Sequence, residues 1–196
     1  MNFIFAVFLW LLFGFLHSMM ARPYFKNLIK LFIGEVFEKR FYRLFYFITQ
    51  CMFFYFIWGI IKNLDGGNIL FVLPSKYEFL YYLFNILSNL FLIICILNFD
   101  ISEFIGLSQL FNLKKSKLLN TKSFYKYIRH PMYLGIILVY ISSSTIFNEM
   151  FFINLLCIIC YIEVGSYYEE KTLLITFKTK YKKYQLKTYK YLPFIR

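Results

Sequence analysis

Two short motifs carry the side chains with the most evident chemistry, Arg129-His130-Pro131-Met132-Tyr133 and Glu169-Glu170. The first motif separates a basic polar segment from the stretch Met132 to Phe147, which contains no charge. Proline suits the first turn of a helix, because its φ is fixed and it has no N–H to leave unpaired. We therefore predict that a helix begins at Pro131, with His130 beside free N–H groups that favour anionic ligand groups. A basic flank that anchors a membrane helix is the alternative interpretation of the same residues.

The composition is that of a membrane protein. Of the 196 residues, 60% are hydrophobic, including 27 Phe and 18 Tyr, whereas a soluble domain averages about 45–50% apolar residues. Only 16% of the residues are charged, yet the formal net charge is +12. Basic residues in a membrane protein mark cytoplasmic loops, and no nucleic-acid-binding motif accompanies them here. We therefore exclude a nucleic-acid-binding function.

The apolar stretches predict an all-α, polytopic integral membrane protein with about five transmembrane helices. Polar segments separate these stretches, and Asp65-Gly66-Gly67-Asn68 marks one of them as a turn-rich loop. A short turn at Asn148-Glu149 makes the last two helices an antiparallel hairpin. The predicted spans are residues 2–21, 41–61, 79–99, 131–147 and 150–168, and the predicted tail is 169–196.

The basic residues also predict the orientation of the chain in the membrane. Segments 22–43, 114–129 and 171–196 hold 6, 6 and 8 of the 22 Lys and Arg residues, and the other two lie in 62–78. Cytoplasmic loops carry the excess of positive charge in membrane proteins. The N-terminus is therefore expected outside, and the C-terminus in the cytoplasm.

The predicted hairpin brings the two motifs to one end. With a turn of two or three residues after the fourth span, Arg129-His130-Pro131 lies close to Tyr167-Tyr168-Glu169-Glu170. Glu163 lies within the fifth span, where a carboxylate is expensive and faces a polar cavity or a partner. A structural pair with Lys or Tyr is the alternative for Glu163. Cys157 and Cys160 lie deeper in an apolar span and are expected to pack, and no metal site is expected.

The same residues carry a resemblance to a known family. "FYKYIRHPMYLGIIL", followed by "YYEEKTLLITFKTKYKKYQLKTYKYLPFI", is similar to the C-terminal signature of the isoprenylcysteine carboxyl methyltransferase superfamily. The shared pattern is an RHPxYxG helix start, a hairpin, a Glu pair, spaced tyrosines and a terminal Leu-Pro, over about residues 119–195. "LHSMMARPYFK", "EKRFYRLFYFI" and "NFDISEFIGLSQL" resemble the nurim and methanethiol S-methyltransferase branch.

The resemblance implies an S-adenosylmethionine-dependent methyltransferase embedded in the membrane. The predicted spans make the chain a single membrane domain, 1–196, with three N-terminal helices in 1–99 and a loop, hairpin and tail in 100–196. The resemblance implies that this second part binds the cofactor. Arg129 could stabilise an anionic nucleophile, or His130 could take its proton, and the sequence leaves both open. The cofactor-binding residues implied are Gln109, Tyr125, His130, Pro131, Met132, Tyr133, Glu169 and Glu170.

The methyl acceptor is expected to be a small thiol or another membrane-soluble nucleophile. The prenylcysteine enzymes bind the substrate carboxylate with an Arg four residues before the cofactor Glu, and that position is Gly165 here. The thiol-methylating branch has an Arg two residues before its Glu pair, and that position is Tyr167. A phospholipid or prenylcysteine-type methyltransferase and a non-enzymatic, nurim-like membrane protein are the alternatives.

Overall fold

The computed structural model describes residues 1–98, 100–113 and 119–192. These residues are mostly helical, as predicted, with one antiparallel pair of short strands that the sequence did not predict. In chain order the elements are α1 (Asn2–Ala21), α2 (Pro23–Phe32), α3 (Glu35–Arg40), α4 (Tyr42–Lys62), β1 (Ile69–Val72), α5 (Glu78–Leu97), α6 (Ile101–Ile105), α7 (Leu107–Leu110), α8 (Pro131–Ile141), β2 (Ile146–Asn148) and α9 (Glu149–Lys187). Short 3₁₀ turns cover Ser75–Tyr77 and Ser123–Lys126.

Within the described residues, four helical stretches are long and apolar enough to cross a membrane. They are Asn2–Ala21, Tyr42–Lys62, Ser75–Leu97 and the long helix Glu149–Lys187. The apolar helix α8 is shorter, because its 11 residues extend about 16 Å against a hydrocarbon core of about 30 Å. The length and composition of the helices therefore fit a membrane protein.

The chain divides into two compact units. The first comprises Met1–Asp65 and the described part of Asp100–Lys117, and therefore contains α1 to α4, α6 and α7. The second comprises the described parts of Gly66–Phe99 and Leu118–Arg196, and contains α5, α8, α9 and both strands. The single membrane domain expected from the sequence stays a prediction.

In the first unit, α1 packs against α4 through aromatic side chains. The rings of Trp10, Phe13 and Phe54 contact each other edge to face, with centroids 5.8 to 6.3 Å apart. Tyr42 is buried at the start of α4, and its hydroxyl donates a hydrogen bond of 2.5 Å to the carbonyl of Met20. Ring contacts and this tyrosine therefore fix α1 on α4.

The corner between α6 and α7 lies directly on the backbone of α4. Gly106 has a φ of 102°, and a Cβ there would lie 2.5 Å from the amide nitrogen of Leu44. Only glycine allows both this conformation and this approach. Gly106 therefore places α7, which carries Gln109, against α4.

In the second unit, α5 packs along α8. A Cβ on Gly135 would lie 3.1 Å from Leu92 Cδ1, so the absence of a side chain lets the two helices come close. The rings of Phe91 and Phe124, with centroids 4.7 Å apart, attach the turn before α8 to α5 as well. This packing holds the first turn of α8, where the RHP motif lies.

The predicted end of the fourth span is wrong, because α8 begins at Pro131 as expected but ends at Ile141 instead of Phe147. The Tyr81 hydroxyl donates to the carbonyls of Ile141 and Ser144, and Asn85 Nδ2 donates to the carbonyl of Ser142. These two side chains of α5 satisfy carbonyls that another helical turn would otherwise bind. The early end of α8 is therefore a tertiary effect.

The predicted turn of two or three residues is also wrong, because residues 142–148 connect α8 to α9 and contain β2. Strand β2 pairs with β1, so the connection is tied to the turn-rich loop before α5. The carbonyls of Asn68 and Gly66 accept hydrogen bonds from the backbone N–H groups of Glu149 and Met150. The Asn148 side chain accepts another, from Phe151 N–H, at 2.8 Å. The first turn of α9 is thus capped by its own N-cap and by this loop.

Helix α9 continues to Lys187, so the predicted polar tail from residue 169 is largely helical. The helix is interrupted at Lys178, which has φ 47° and ψ −122°. Glu170 and Gln185 would be about 22 Å apart in a continuous helix. Their side chains are instead hydrogen-bonded at 3.0 Å. The chain therefore reverses at Lys178, and residues 179–187 fold back towards the start of α8.

We expect Lys178→Gly to stabilise the protein by about 1 kcal/mol. A non-glycine residue at this φ and ψ costs on the order of 1–3 kcal/mol, which outweighs the entropy that glycine loses on folding. Lys182→Gly is the matched control, because Lys182 is exposed within the returning helix, and it should destabilise by about 1 kcal/mol. Thermal unfolding in detergent measures both. Equal destabilisation by the two substitutions would contradict the reversal at residue 178.

Candidate functional site

The candidate site forms where the segment before α8 pairs with the segment after α9. A parallel bridge joins Ile128 to Tyr189. The N–H of Arg129 donates to the carbonyl of Tyr189 at 2.8 Å, and the N–H of His130 donates to the carbonyl of Lys190 at 3.1 Å. The backbone of the RHP motif is therefore held by the C-terminal segment, which the reversal at Lys178 brings back.

Glu170 is the centre of a hydrogen-bonded cluster. Its Oε1 accepts from Arg129 Nε at 2.7 Å and lies 3.1 Å from His130 Nε2, and its Oε2 accepts from Gln185 Nε2 at 3.0 Å. Arg129 also donates through one terminal nitrogen to the carbonyls of Thr188 at 2.6 Å and Gln185 at 3.3 Å. We call Glu170, Arg129, His130 and Gln185 the Glu170 clamp. It joins the start of α8, the middle of α9 and the returning helix.

Glu169 lies beside the clamp but is much less enclosed. Its side chain is 39% exposed, against 17% for Glu170. Glu169 Oε2 accepts a hydrogen bond from the Tyr133 hydroxyl at 2.8 Å and lies 3.6 Å from His130 Nδ1. The Tyr133 hydroxyl thus orients the Glu169 carboxylate, which remains able to accept hydrogen bonds from a ligand. The two adjacent carboxylates are in different situations, one enclosed by the protein and one accessible.

Aromatic rings surround the imidazole of His130. The Tyr133 ring stacks on it with a centroid distance of 5.3 Å and an interplanar angle of 19°, and the Tyr191 ring lies 5.8 Å away. The Tyr191 hydroxyl donates to Ser166 Oγ at 2.7 Å, which fixes that ring on α9. Faces of tyrosine rings attract cations, including sulfonium and ammonium groups. The site therefore combines an accessible carboxylate with aromatic faces.

A buried tyrosine hydroxyl near the clamp has no hydrogen-bond partner among the described residues. Tyr181 is 1% exposed, and it is close enough to Glu170, Arg129 and Glu169 to interact with them electrostatically. A buried polar group without a partner costs about 1–3 kcal/mol. The Tyr181 hydroxyl, close to the accessible carboxylate of Glu169, therefore fits a site that binds a polar ligand.

Tyr125 is positioned beside the same cluster by the returning helix. The Tyr184 hydroxyl donates to the carbonyl of Tyr125 at 2.6 Å, and Tyr125 is buried. Burial, and to a smaller extent the negative charge of Glu169, raises the pKa of the Tyr125 hydroxyl above its ordinary value. The hydroxyl therefore stays protonated at neutral pH and can act as a hydrogen-bond donor.

Glu163 has a structural partner. Its Oε2 lies 2.5 Å from Lys190 Nζ, so this ion pair links α9 to the segment that follows it. Of the two interpretations of Glu163 made from the sequence, the pair with a lysine is the one found. Glu163 therefore has a structural role next to the candidate site.

The structure brings together five of the residues expected from the sequence, namely Arg129, His130, Tyr133, Glu169 and Glu170. Tyr125 lies beside them, and Pro131 is fully buried at the helix start. Met132 is the partly buried second residue of α8. Gln109 lies on α7 in the first compact unit. The terminal Leu-Pro is described only as far as Leu192, since Pro193 lies outside the described residues.

Three contributors were not predicted from the sequence, namely Tyr181 and Gln185 of the returning helix and Thr188, which directly follows it. With Tyr184 they follow the i, i+3, i+4, i+7 spacing of one helical face. The sequence shows this spacing, but it does not show what the helical face packs against. That becomes clear only from the reversal at Lys178, which brings the face to the start of α8. Their roles therefore depend on the fold.

Within residues 1–98, 100–113 and 119–192, no group of three or more His, Cys, Asp or Glu side chains could hold a metal ion. Cys157 and Cys160 are free thiols on α9, the first partly buried and the second exposed. The side chains brought together at the site supply two carboxylates, an imidazole, a guanidinium and phenols. No family model, no curated protein and no solved structure matches the chain.

Proposed function

We propose that the chain is a membrane-embedded methyltransferase that uses S-adenosylmethionine and acts on a small thiol or another membrane-soluble acceptor. One observation carries the proposal beyond the motif resemblance. Glu169 is held by Tyr133 beside the enclosed Glu170 clamp, with one side of its carboxylate accessible. A clamp that served only the fold would not require a second, oriented and accessible carboxylate.

The residues present fit the cofactor. The Glu169 carboxylate can accept hydrogen bonds from ribose hydroxyls or an ammonium group, and the Tyr133 and Tyr191 rings suit a sulfonium cation. The buried Tyr181 hydroxyl is a further polar group without a partner among the described residues. S-adenosylmethionine would supply an electrophilic methyl group here.

The contacts favour a positioning role for Arg129. Its guanidinium already binds Glu170 and two backbone carbonyls, and its side chain is only 10% exposed. His130 is held between the two carboxylates, with Nε2 towards Glu170 and Nδ1 towards Glu169. The chain would therefore contribute orientation and exclusion of water to the reaction. His130 is the residue left to hold a proton.

The acceptor class is supported by the space around Gly165. A Cβ at this position would meet nothing within 4 Å. The residue is glycine where the prenylcysteine enzymes have an Arg, so the chain has no positive side chain at this position. A substrate carboxylate would lack that partner, which favours an uncharged acceptor or a thiol. A thiolate attacking a sulfonium needs little acid–base help.

A non-enzymatic scaffold is the second candidate, and the Glu170 clamp favours it. Both oxygens of Glu170 are satisfied by the chain itself, so the clamp is complete without a ligand.

Calorimetry with S-adenosylhomocysteine on the detergent-solubilised full chain separates the two candidates. We expect saturable 1:1 binding. Absence of binding to folded protein would exclude the methyltransferase and leave the scaffold. If binding is found, a panel of methyl acceptors, assayed by transfer of a radiolabelled methyl group, distinguishes thiols from lipids.

The proposal includes five membrane crossings with a cytoplasmic C-terminus. The distribution of the basic residues supports it, and so does the pairing of β1 with β2. This pairing joins the 66–72 loop to the connection before α9. The third and fourth crossings lie between these two segments, and two crossings return the chain to the same, outer side. Helix α8, with its 11 residues, would cover only part of the fourth crossing.

Cysteine labelling in intact cells is expected to modify Ser75→Cys but not Lys183→Cys. Both substitutions are made in a variant without the four native cysteines, and the reagent is membrane-impermeant. Labelling of both positions after permeabilisation is the control for accessibility. Labelling of position 183 from outside the intact cell would reverse the proposed orientation.

A further inference from the structure

A polar cavity in the first compact unit is the strongest feature that the proposed function does not use. Its volume is about 730 Å³, which lies within the range of about 300–1,000 Å³ of small-molecule sites. It is lined by side chains of α3, α6 and α7, including Glu35, Lys39, Arg40, Glu103 and Gln109. All of these residues belong to that unit.

Among the described residues, one cation and one carboxylate of this cavity have no ion-pair partner. Glu35 forms ion pairs with Lys39 and, at 3.6 Å, with Lys30. In the described part of the chain, neither Arg40 nor Glu103 has an ion-pair partner. The cavity therefore offers a positive and a negative group at once, which fits a ligand that carries both charges.

Gln109 provides a second, independent indication of a ligand. Its Oε1 is buried and accepts no hydrogen bond in the described part of the structure. The helix that carries it is fixed, because Gly106 packs on α4 and the neighbouring Ser108 hydroxyl bonds to that of Ser102 at 2.9 Å. A buried acceptor on a fixed helix is satisfied by a ligand that brings an N–H or O–H donor.

The surroundings of the cavity indicate where such a ligand comes from. Val36 lines the cavity and is 66% exposed, and Leu31, Phe32 and Ile33 are exposed just before it in the chain. Four exposed apolar side chains at one corner of α2 and α3 suit contact with hydrocarbon. Lys30 and Lys39 flank them, as basic residues do at a membrane surface.

We infer that this cavity binds the headgroup of a zwitterionic phospholipid with a primary ammonium group. Arg40 binds the phosphate, Glu103 and Gln109 Oε1 accept hydrogen bonds from the ammonium group, and the acyl chains lie along the exposed apolar corner. A quaternary ammonium has no N–H to donate, so a choline headgroup leaves Gln109 unsatisfied. The inference does not depend on the proposed methyltransferase activity, and it gives Gln109 a different partner from the cofactor.

The test uses delipidated full-length protein in detergent, titrated with dihexanoyl phosphatidylethanolamine and followed by native mass spectrometry. Glu103→Gln and Arg40→Gln should each weaken binding about tenfold, the effect of one charge-assisted hydrogen bond. Gln109→Leu should also weaken lipid binding, because it removes the buried acceptor Oε1. Glu38→Gln and Arg22→Gln are the matched controls, because these residues belong to the same unit but do not line the cavity. The unfolding temperature of each variant reports whether it is folded. If Arg40→Gln does not fold, Arg40→Lys is tested in its place.

The comparison ligands separate the alternatives. Dihexanoyl phosphatidylcholine and phosphatidylglycerol should both bind about tenfold more weakly than phosphatidylethanolamine. Equal binding of phosphatidylglycerol, unaffected by Glu103→Gln, would mean a basic surface only and would overturn the inference. Binding of O-phosphoethanolamine as tight as that of the lipid would overturn the lipid source. Absence of binding, or binding insensitive to all three cavity variants, would overturn the site.

Discussion

Arg129→Met is expected to lower the free energy of unfolding by about 3–5 kcal/mol, because it leaves the Glu170 carboxylate enclosed without its charge partner. Arg129 contributes the shortest contact to Glu170, 2.7 Å, and its other bonds satisfy the carbonyls of Thr188 and Gln185. The bonds to the carbonyls of Thr188 and Gln185 tie the end of the returning segment to the start of α8, and the bond to Glu170 ties the start of α8 to the middle of α9. The loss should therefore be seen first as release of the C-terminal segment, by limited proteolysis after Lys178, and then as a lower unfolding temperature.

Arg43→Met is the matched control for Arg129→Met. Arg43 is exposed and makes one long bond of 3.4 Å to the carbonyl of Phe104, so its loss should change stability by less than about 0.5 kcal/mol. The double variant Arg129→Met/Glu170→Leu should recover part of the loss, because replacing both partners leaves no unpaired charge. If Arg129→Met is no more destabilised than Arg43→Met, the Glu170 clamp does not hold the C-terminal segment.

The parts of the fold that depend on local chemistry could be predicted from the sequence. The start of α8 at Pro131 follows from the missing N–H and fixed φ of proline. The long helices at Asn2–Ala21 and Tyr42–Lys62 follow from uninterrupted apolar composition. In each case the information lies within one turn or one continuous stretch.

The errors concern features decided by distant residues. Helix α8 ends at Ile141 because Tyr81 and Asn85 of another helix bind its last carbonyls. The strand pair forms between segments about 75 residues apart, and neither strand has more than four residues to indicate it. The reversal at Lys178 has no glycine or proline to mark it. Propensity and periodicity carry no information on such contacts.

The candidate site shows the same division. The meeting of the RHP motif with the Glu pair followed from the hairpin, although the connection in the structure is longer than predicted. The different situations of Glu169 and Glu170 could not be predicted, because the enclosure of Glu170 depends on Gln185 and on the returning helix. A sequence pattern places two adjacent carboxylates, but only the fold shows which of them remains accessible.

Glu169→Gln is expected to weaken S-adenosylhomocysteine binding about ten- to hundredfold, which corresponds to the loss of a charge-assisted hydrogen bond of about 1.5–3 kcal/mol. Folding should survive, because the side chain is 39% exposed and the amide oxygen can still accept the bond from Tyr133. Glu170→Gln should behave in the opposite way and lose stability through the clamp. Calorimetry and thermal unfolding of the same two preparations separate the two effects.

His130 couples the two carboxylates, which makes a double-mutant cycle informative. His130→Ala should weaken S-adenosylhomocysteine binding, and His130→Ala/Glu169→Gln should lose less than the sum of the two single losses, because both residues hold one ligand. Lys171→Ala, exposed and just past the Glu pair, is the control and should leave affinity unchanged. An unchanged S-adenosylhomocysteine affinity in folded Glu169→Gln would mean that the accessible carboxylate does not bind the cofactor. The residues of the RHP motif would then be left with the structural role that the Glu170 clamp already gives them.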